Sequence, residues 1–453
     1  MLQQVEYNSS KFLKWTITLP NLLKVQKRQK LETTARVQLL LAITYSGWIF
    51  LLVTAVVVCL KINVLFGVLL LFLLPLFLIC VLATSNTLLD LAIITPKEKR
   101  EIARAKNKLM SLPATRIAIL GSYGKTTTKE ILTAVLSSGK QVVATPGNKN
   151  VLISHARWVN SLNGAEDVLI FEYGEGKPGD IKLLTDFSHP EIAVITGVAA
   201  AHMEEYGSLD AIAKDFRHIF SVCSPKNVFI NGDSPELTSR IHQGRTYFGA
   251  GLGDWKIKLQ SQDLDGMDFI MSSGKKTLKL HTKLIGEHLL GSLGLAVELA
   301  EQLGLSDQQI KAGVAATKPF EHRMQPYKLA GAQIIDDTYN GNIEGVRAGL
   351  KLLGELKTTG RKIYVTPGLV EQGALTRVIH NKLGQLIAKS QPDRVVLMQN
   401  SVTSFIQDGL DEGGFAGELL IEPVPLDFYT NLEHFVAAGD IVLMQNDWPD
   451  SYR

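Results

Sequence analysis

Two long uncharged apolar runs near the N-terminus limit what this chain can be more than any other feature. From Val37 to Leu60 the sequence reads VQLLLAITYSGWIFLLVTAVVVCL, and after Lys61-Ile62-Asn63 a second run, VLFGVLLLFLLPLFLICVLAT, ends at Thr84. Each exceeds the ~20 apolar residues that span a hydrocarbon layer of ~30 Å as a helix, so the pattern predicts a two-helix transmembrane hairpin over 37–84. A secretory leader fits poorly, because its apolar region is single and shorter. Packing both runs inside a soluble core would strand Lys61 and Asn63 in a tight buried turn. Pro75, inside the second run, is tolerated in a membrane helix and is compatible with a kink.

The flanking charge orients the hairpin. Lys24, Lys27, Arg28, Lys30 and Arg36 precede it, Lys97, Lys99, Arg100, Arg104, Lys106 and Lys108 follow it, and the turn holds Lys61 alone. The positive-inside bias predicts a multi-pass protein of the cell membrane, with both termini and the soluble part in the cytoplasm. Residues 1–36 are then a cytoplasmic N-terminal segment. Residues 85–112 read as a connector in which Pro96 opens a helix beside the basic membrane surface. A net charge of +3 with 20% charged residues argues against a nucleic-acid partner. Cys59, Cys80 and Cys223 are too scattered for a disulfide framework or a zinc site.

From Thr115 onward, short apolar runs alternate with helical patterns. RIAILGS, QVVATPG, DVLIFEYGEG, EIAVITGV and NVFINGD read as strands, separated by helices such as KTTTKEILTAVLSSG and SLDAIAKDFRHIFSVC, the latter capped by Ser208. This alternation predicts an α/β fold: a central phosphate-loop domain over 113–317 with a mostly parallel sheet and ligands at the carboxyl ends of its strands. A β-rich stretch from Tyr247 to Leu284, with turns at Asp265-Gly266 and Ser273-Gly274, reads as decoration of that sheet. After Lys318-Pro319 the pattern restarts with AQIIDDTYN, RKIYVTPG, DRVVLMQN and DIVLMQN, predicting a C-terminal Rossmann-like α/β domain over 318–453.

The segment GSYGKTTTKE joins the first of these strands to its helix. Gly121 and Gly124 let the backbone approach phosphate oxygens, and the helix start adds N–H donors. Lys125 is then placed for the β- and γ-phosphates and the Thr126 hydroxyl for Mg2+, although Ile119 stands where the long form of this loop has glycine. Glu172 follows an apolar strand, where a carboxylate has no packing role and suits Mg2+. His202 lies similarly beyond AVITGV.

GSYGKTTTKE, TPGNKN, EYGEGKPGDI, VITGVAAAHMEEYGSLDAIA, GEH, HRMQ and IDDTYNGN, in this order, resemble the Mur ligase family over about residues 113–446. The likeness is greatest to the branch that adds D-alanyl-D-alanine to UDP-muramoyl-tripeptide. It implies an ATP- and Mg2+-dependent acid–amino-acid ligase of peptidoglycan assembly. ATP turns a carboxylate into an acyl phosphate, and an amine displaces the phosphate. It also implies that Gly121, Ser122, Tyr123, Gly124, Lys125, Thr126 and Thr127 cradle the nucleotide together with His288, Arg323 and Asp337. Thr126, Glu172 and His202 are the implied metal residues; Lys125, Glu172, His202 and Asp337 are the implied catalytic ones. Tyr339 and Asn340 would line a cleft that closes between the two domains.

Four departures from the family pattern stand out. Phe216 occupies the place of the family's carbamylated lysine, and Lys214, two residues away, points roughly 200° round the helix. Leu289 and Ser292 replace asparagines near the adenine. The C-terminal lysine loop is replaced by LMQNDWPDSYR. A hairpin stands where the family has its UDP-binding domain, which implies a cell-wall peptide acceptor that is lipid-linked or held by the remaining domains. The alternatives are a Mur-like ligase with another acceptor, or a nucleotide-binding membrane scaffold with weakened catalysis.

Overall fold

The computed structural model describes residue 2 and residues 7–18, 33–147, 149–200, 202–339, 341–370 and 372–446. They fall into two compact units, Met1–Arg104 and Ala105–Arg453.

In the first unit a helix Ser9–Thr18 precedes a hairpin of helices Ala35–Lys61 and Val64–Leu89, the second of which stays helical through Pro75. Asn63, awkward to bury, is instead the N-cap of the second helix, its Oδ1 accepting the Phe66 N–H at 3.0 Å. The hairpin is close-packed at glycine: a Cβ on Gly67 would lie 2.4 Å from the Cys59 backbone. Polar groups gather at the open end. Arg36 meets Asp90 at 2.6 Å and Asn86 at 3.2 Å, and the Asn86 Nδ2 donates to Tyr7 O at 2.6 Å. Ala35–Lys61 and the stretch Phe77–Ser111 are each long and apolar enough to cross a membrane, by length and composition. A π-helical segment, Asp90–Ile94, leads into helix Thr95–Ser111, so the stretch read as a connector is helical through Ser111.

The second unit takes in the end of that helix. Ala105 and Leu109 are buried, and Lys108 Nζ donates to Asn160 O at 3.0 Å. Ten strands follow: β1 Thr115–Leu120, β2 Val142–Ala144, β3 Val168–Glu172, β4 Ile192–Ile195, β5 Val228–Asn231, β6 Arg245–Phe248, β7 Gly251–Leu252, β8 Trp255–Asp263, β9 Gly266–Ser273 and β10 Lys276–Thr282. They form one sheet in the order β10-β9-β8-β7-β6-β5-β4-β1-β3-β2. From β2 to β6 the pairs are parallel, and from β6 to β10 antiparallel. The expectation of a mostly parallel sheet is therefore corrected to a mixed one. The β-rich stretch continues the ladder through β6 and β7 instead of decorating it. β1, β3 and β4 are apolar and buried on both faces, which parallel strands covered by helices require. Helix Lys125–Leu136 turns Ile131, Leu132, Val135 and Leu136 into this core, beside helices Leu290–Gln302 and Asp307–Ala315.

A second sheet holds β11 Gln325–Leu329, β12 Ala332–Asp337, β13 Lys362–Thr366, β14 Arg394–Met398, β15 Glu418–Glu422 and β16 Ile441–Gln445, in the order β11-β12-β16-β13-β14-β15. All its pairs are parallel except the β11 edge. The expected strands are β12, β13, β14 and β16; the edge strands β11 and β15 are additions.

Candidate functional site

The loop after β1 is shaped by what its glycines avoid. Gly121 has φ 143°, and a Cβ there would lie 2.2 Å from Thr196 Oγ1, while Gly124 has φ 74° and starts helix Lys125–Leu136. No side chain caps that start, so the first turn keeps its N–H groups for a ligand. Ser122 N–H donates to Gly197 O at 2.9 Å, and the Ser122 hydroxyl is sealed from solvent with no hydrogen-bond partner among the described residues. Tyr123 serves the loop's shape: its ring covers Gly197, whose added Cβ would meet ring carbon Cζ at 2.2 Å, and its carbonyl accepts the Thr196 hydroxyl. An uncapped helix start, a cradle that a Cβ would fill and an orphaned buried hydroxyl fit a nucleotide phosphate.

Two lysines of the helix meet two glutamates from the end of β3 and the loop beyond it. Lys125 Nζ donates to Gly121 O at 2.5 Å and to Glu175 at 3.0 and 2.8 Å. Glu175 is buried, which raises its carboxyl above the ordinary range, with Lys125 and His202 pulling the other way. Thr126 Oγ1 donates to Glu172 Oε1 at 2.8 Å, while Lys129 Nζ lies 3.0 Å from Glu172 Oε2 in an ion pair without an aligned hydrogen bond. Behind Glu172, His155 is fully buried with Nε2 2.9 Å from Glu172 O; burial lowers its imidazole to about 4, so the ring is neutral with the Nε2 proton on the carbonyl.

Thr126 and Glu172, the first two of the three metal residues the resemblance implies, are thus in contact. His202 begins the short helix Met203–Tyr206 with φ 50°, exposed and within the field of Glu175. Among the described residues no three His, Cys, Asp or Glu side chains converge as a metal cluster. Phe216 ends helix Leu209–Phe216 fully buried, whereas Lys214 is exposed. The polar residue of that turn is Asp215, which accepts the Gly179 N–H at 3.0 Å and the Tyr206 hydroxyl at 2.9 Å.

The second sheet contributes the other wall. A cavity of about 60 Å³ is faced by Thr127, His288 and Leu289 from the central domain and by Arg323, Met324 and Asp337. Met324, at φ 46°, gives its N–H to Asp337 Oδ1 at 3.2 Å, and Gln445 Nε2 holds Oδ2 at 2.7 Å. Burial nevertheless raises the Asp337 carboxyl to about 6. The Arg323 guanidinium stacks 4.2 Å from the Tyr339 ring centroid. Ser292, at one of the altered adenine-side positions, lies 3.2 Å from Thr128 Oγ1, and Leu289 is buried. Asn340 and the C-terminal residues from Asp447 lie outside the described residues. Lys129, Glu175, Thr145 and Thr196 escape a reading of the sequence; the only trace of Lys129 is its spacing of four from Lys125, which puts both on one helix face.

Residues 119–299 match the family described as Mur ligase middle domain. The UDP-N-acetylmuramoyl-tripeptide--D-alanyl-D-alanine ligase of Bacillus subtilis is 29% identical over 308 residues, 67% of each chain. That of Escherichia coli is 29% identical over 293 residues, 63% of this chain and 64% of its own. This chain spans about two thirds of the length of such relatives. MurF from Acinetobacter baumannii superposes with a TM-score of 0.67 at 22% identity, covering 77% of both chains. The MurF ligase from Thermotoga maritima in complex with ADP superposes at 0.66 with 24% identity, covering 77% of this chain and 80% of its own. The matched stretch, residues 119–299, is the part of the chain that holds Lys125, Thr126 and Glu172, so the candidate site lies within the region similar to the Mur ligase middle domain.

Proposed function

We propose that this chain is an ATP-dependent amide ligase that joins an amine such as D-alanyl-D-alanine to the carboxylate of a cell-wall peptide precursor, and that its hairpin holds it in the cell membrane with the ligase domains in the cytoplasm. The observation that carries the reading is the cavity shared by Thr127 and His288 on one side and Arg323 and Asp337 on the other, next to the phosphate-type loop. A ligase must hold nucleotide between groups from two domains so that charge is neutralised while water is kept out.

The chain's own residues divide that work. The Gly121–Gly124 backbone and the uncapped helix start would take phosphate oxygens, and Lys125 would move its ammonium from Glu175 to phosphate. Thr126 and Glu172 would hold Mg2+, which supplies neutralising charge to the phosphoryl group. Arg323, its guanidinium held over the Tyr339 ring, presents a cation from the opposite wall. Phe216 provides no oxygen ligand, so catalysis here does not use a carbamate at that position.

The membrane part of the reading rests on the apolar length of the two helices and on the flanking charge. Because a chain held at the membrane by such a hairpin would meet its acceptor there, a lipid-linked acceptor is the favoured substrate. The test is phosphate release by the full-length protein in detergent with ATP, Mg2+ and D-alanyl-D-alanine, offered undecaprenyl-linked or UDP-linked precursor. Faster release with the lipid-linked form is expected. Equal rates would reject the membrane substrate, and ATP binding with no release for either would favour the scaffold.

A further inference from the structure

Lys129 lies one turn beyond Lys125 on the same helix and is fully buried. A buried ammonium is costly unless its donors and its charge are all met. Here Nζ donates to Thr145 O at 2.9 Å and Gly147 O at 2.7 Å and pairs with Glu172 Oε2 at 3.0 Å. Thr145 closes a ring, because its Oγ1 accepts the Glu172 N–H at 3.0 Å while its own N–H donates to Ile170 O at 2.9 Å. The same two segments meet again further on. Gly174 N–H donates to Asn150 O at 2.9 Å, and a Cβ on Gly174 would press on the Asn150 side chain at 2.7 Å.

We infer that Lys129 is a positioning residue for the metal carboxylate: it anchors Oε2 of Glu172 so that Oε1 stays with Thr126, and it ties that orientation to the segment beginning at Thr145. Glu172 has one oxygen fixed from behind by a sealed cation and one presented on the helix-start side. Without Lys129, the carboxylate would lose both its countercharge and its link to the Thr145 carbonyl. The inference rests on the reading of Glu172 as the carboxylate that faces Mg2+.

The test uses the full-length protein in detergent, with Mn2+ as the probe ion, its binding in the presence of ADP followed by electron paramagnetic resonance, and ADP affinity measured separately without metal. K129M is expected to weaken Mn2+ binding by ~10–100-fold, the usual effect of losing a group that orients a ligand, with metal-free ADP affinity unchanged. Unaltered Mn2+ binding by folded K129M would overturn the proposal. Should K129M fail to fold, the double variant K129M/E172Q removes both charges together. It is expected to bind Mn2+ no more weakly than E172Q alone, because Lys129 acts only through Glu172; losses that add independently would reject the positioning role. Parent-like Mn2+ binding by E172Q would instead reject Glu172 as the metal carboxylate, a failure separate from that of Lys129.

Discussion

Lys125 and Lys129 sit four residues apart on one helix and each faces a glutamate contributed by β3 or the loop after it, yet the two pairs are built for different purposes. The Lys125 side chain keeps 13% of its surface exposed at the mouth of the loop, and its other acceptor is a carbonyl of that same loop, Gly121 O. Lys129 keeps 0%, and its two carbonyl acceptors come from a different segment. An ammonium with an open side can change partners; one closed on every side can only hold. The comparison teaches that burial, more than the identity of the pair, separates a cation free to change partners from one that can only hold its own.

The largest expected effect breaks the sealed pair. K129M should cost about 3–5 kcal/mol in denaturant unfolding, the usual loss when one partner of a buried pair is removed. Neutralising the partner as well, in K129M/E172Q, should recover much of it; a double variant as unstable as K129M would mean that the charge balance is not what matters.

Installing a third lysine with no carboxylate waiting sharpens the contrast. Phe216 is fully buried, so F216K gives up an aromatic core side chain and buries an amine, and should cost about 3 kcal/mol or more. The ligase rate should not rise. Faster phosphate release by F216K, with or without bicarbonate, would show that the position still reaches the reacting groups.

Asp337 offers the converse case, a buried carboxyl held by Gln445 and the Met324 N–H instead of an ammonium. Its folded-state value is raised from 3.8 to about 6, so its contribution is full below 3.8 and is lost as the pH climbs through about 6. That change amounts to up to ~3 kcal/mol. Stability of D337N should lack this fall, and parallel pH profiles for the parent and D337N would contradict the assignment.

The smallest stability effect belongs to the open pair. K125M should lose roughly 1.5 kcal/mol at neutral pH while ATP binding collapses. Because Glu175 is already raised by burial, losing Lys125 makes its ionised form costlier still. The deficit should therefore grow with pH and shrink as the pH falls into the ordinary glutamate range. Equal losses for K125M and K129M would erase the distinction between the two pairs.

The parts of the molecule that a linear reading reaches are those whose signal is local. The apolar runs of β1, β3 and β4 announce buried strands, and the paired glycines before Lys125 announce the tight positive-φ bend into the helix. β15, ELLIE, is half-exposed with a glutamate at each end, and β11, QPYKL, carries a proline; as edge strands they lack the apolar pattern that marks central ones. The turns at Asp265-Gly266 and Ser273-Gly274 show where β8 to β10 double back but not what β7 pairs with, so the extension of the sheet is invisible before folding. Lys129 and Glu175 look like ordinary solvated charges in KTTTKE and EYGEGK. Only the packing of distant segments around them turns one into a sealed anchor and the other into a buried carboxyl.

The change from parallel to antiparallel pairing at β6 and β7 also has a practical use. The phosphate-type loop and both lysine–glutamate pairs belong to the parallel half, while the far edge of the sheet ends in the β9–β10 hairpin. At its tip Gly274 has φ 56°, and an added Cβ would meet nothing within 4 Å. Exposed tips of this kind accept inserted sequence with little penalty. A fluorophore site or affinity handle spliced in at Gly274 would give a reporter on the protein far along the chain from the phosphate-type loop.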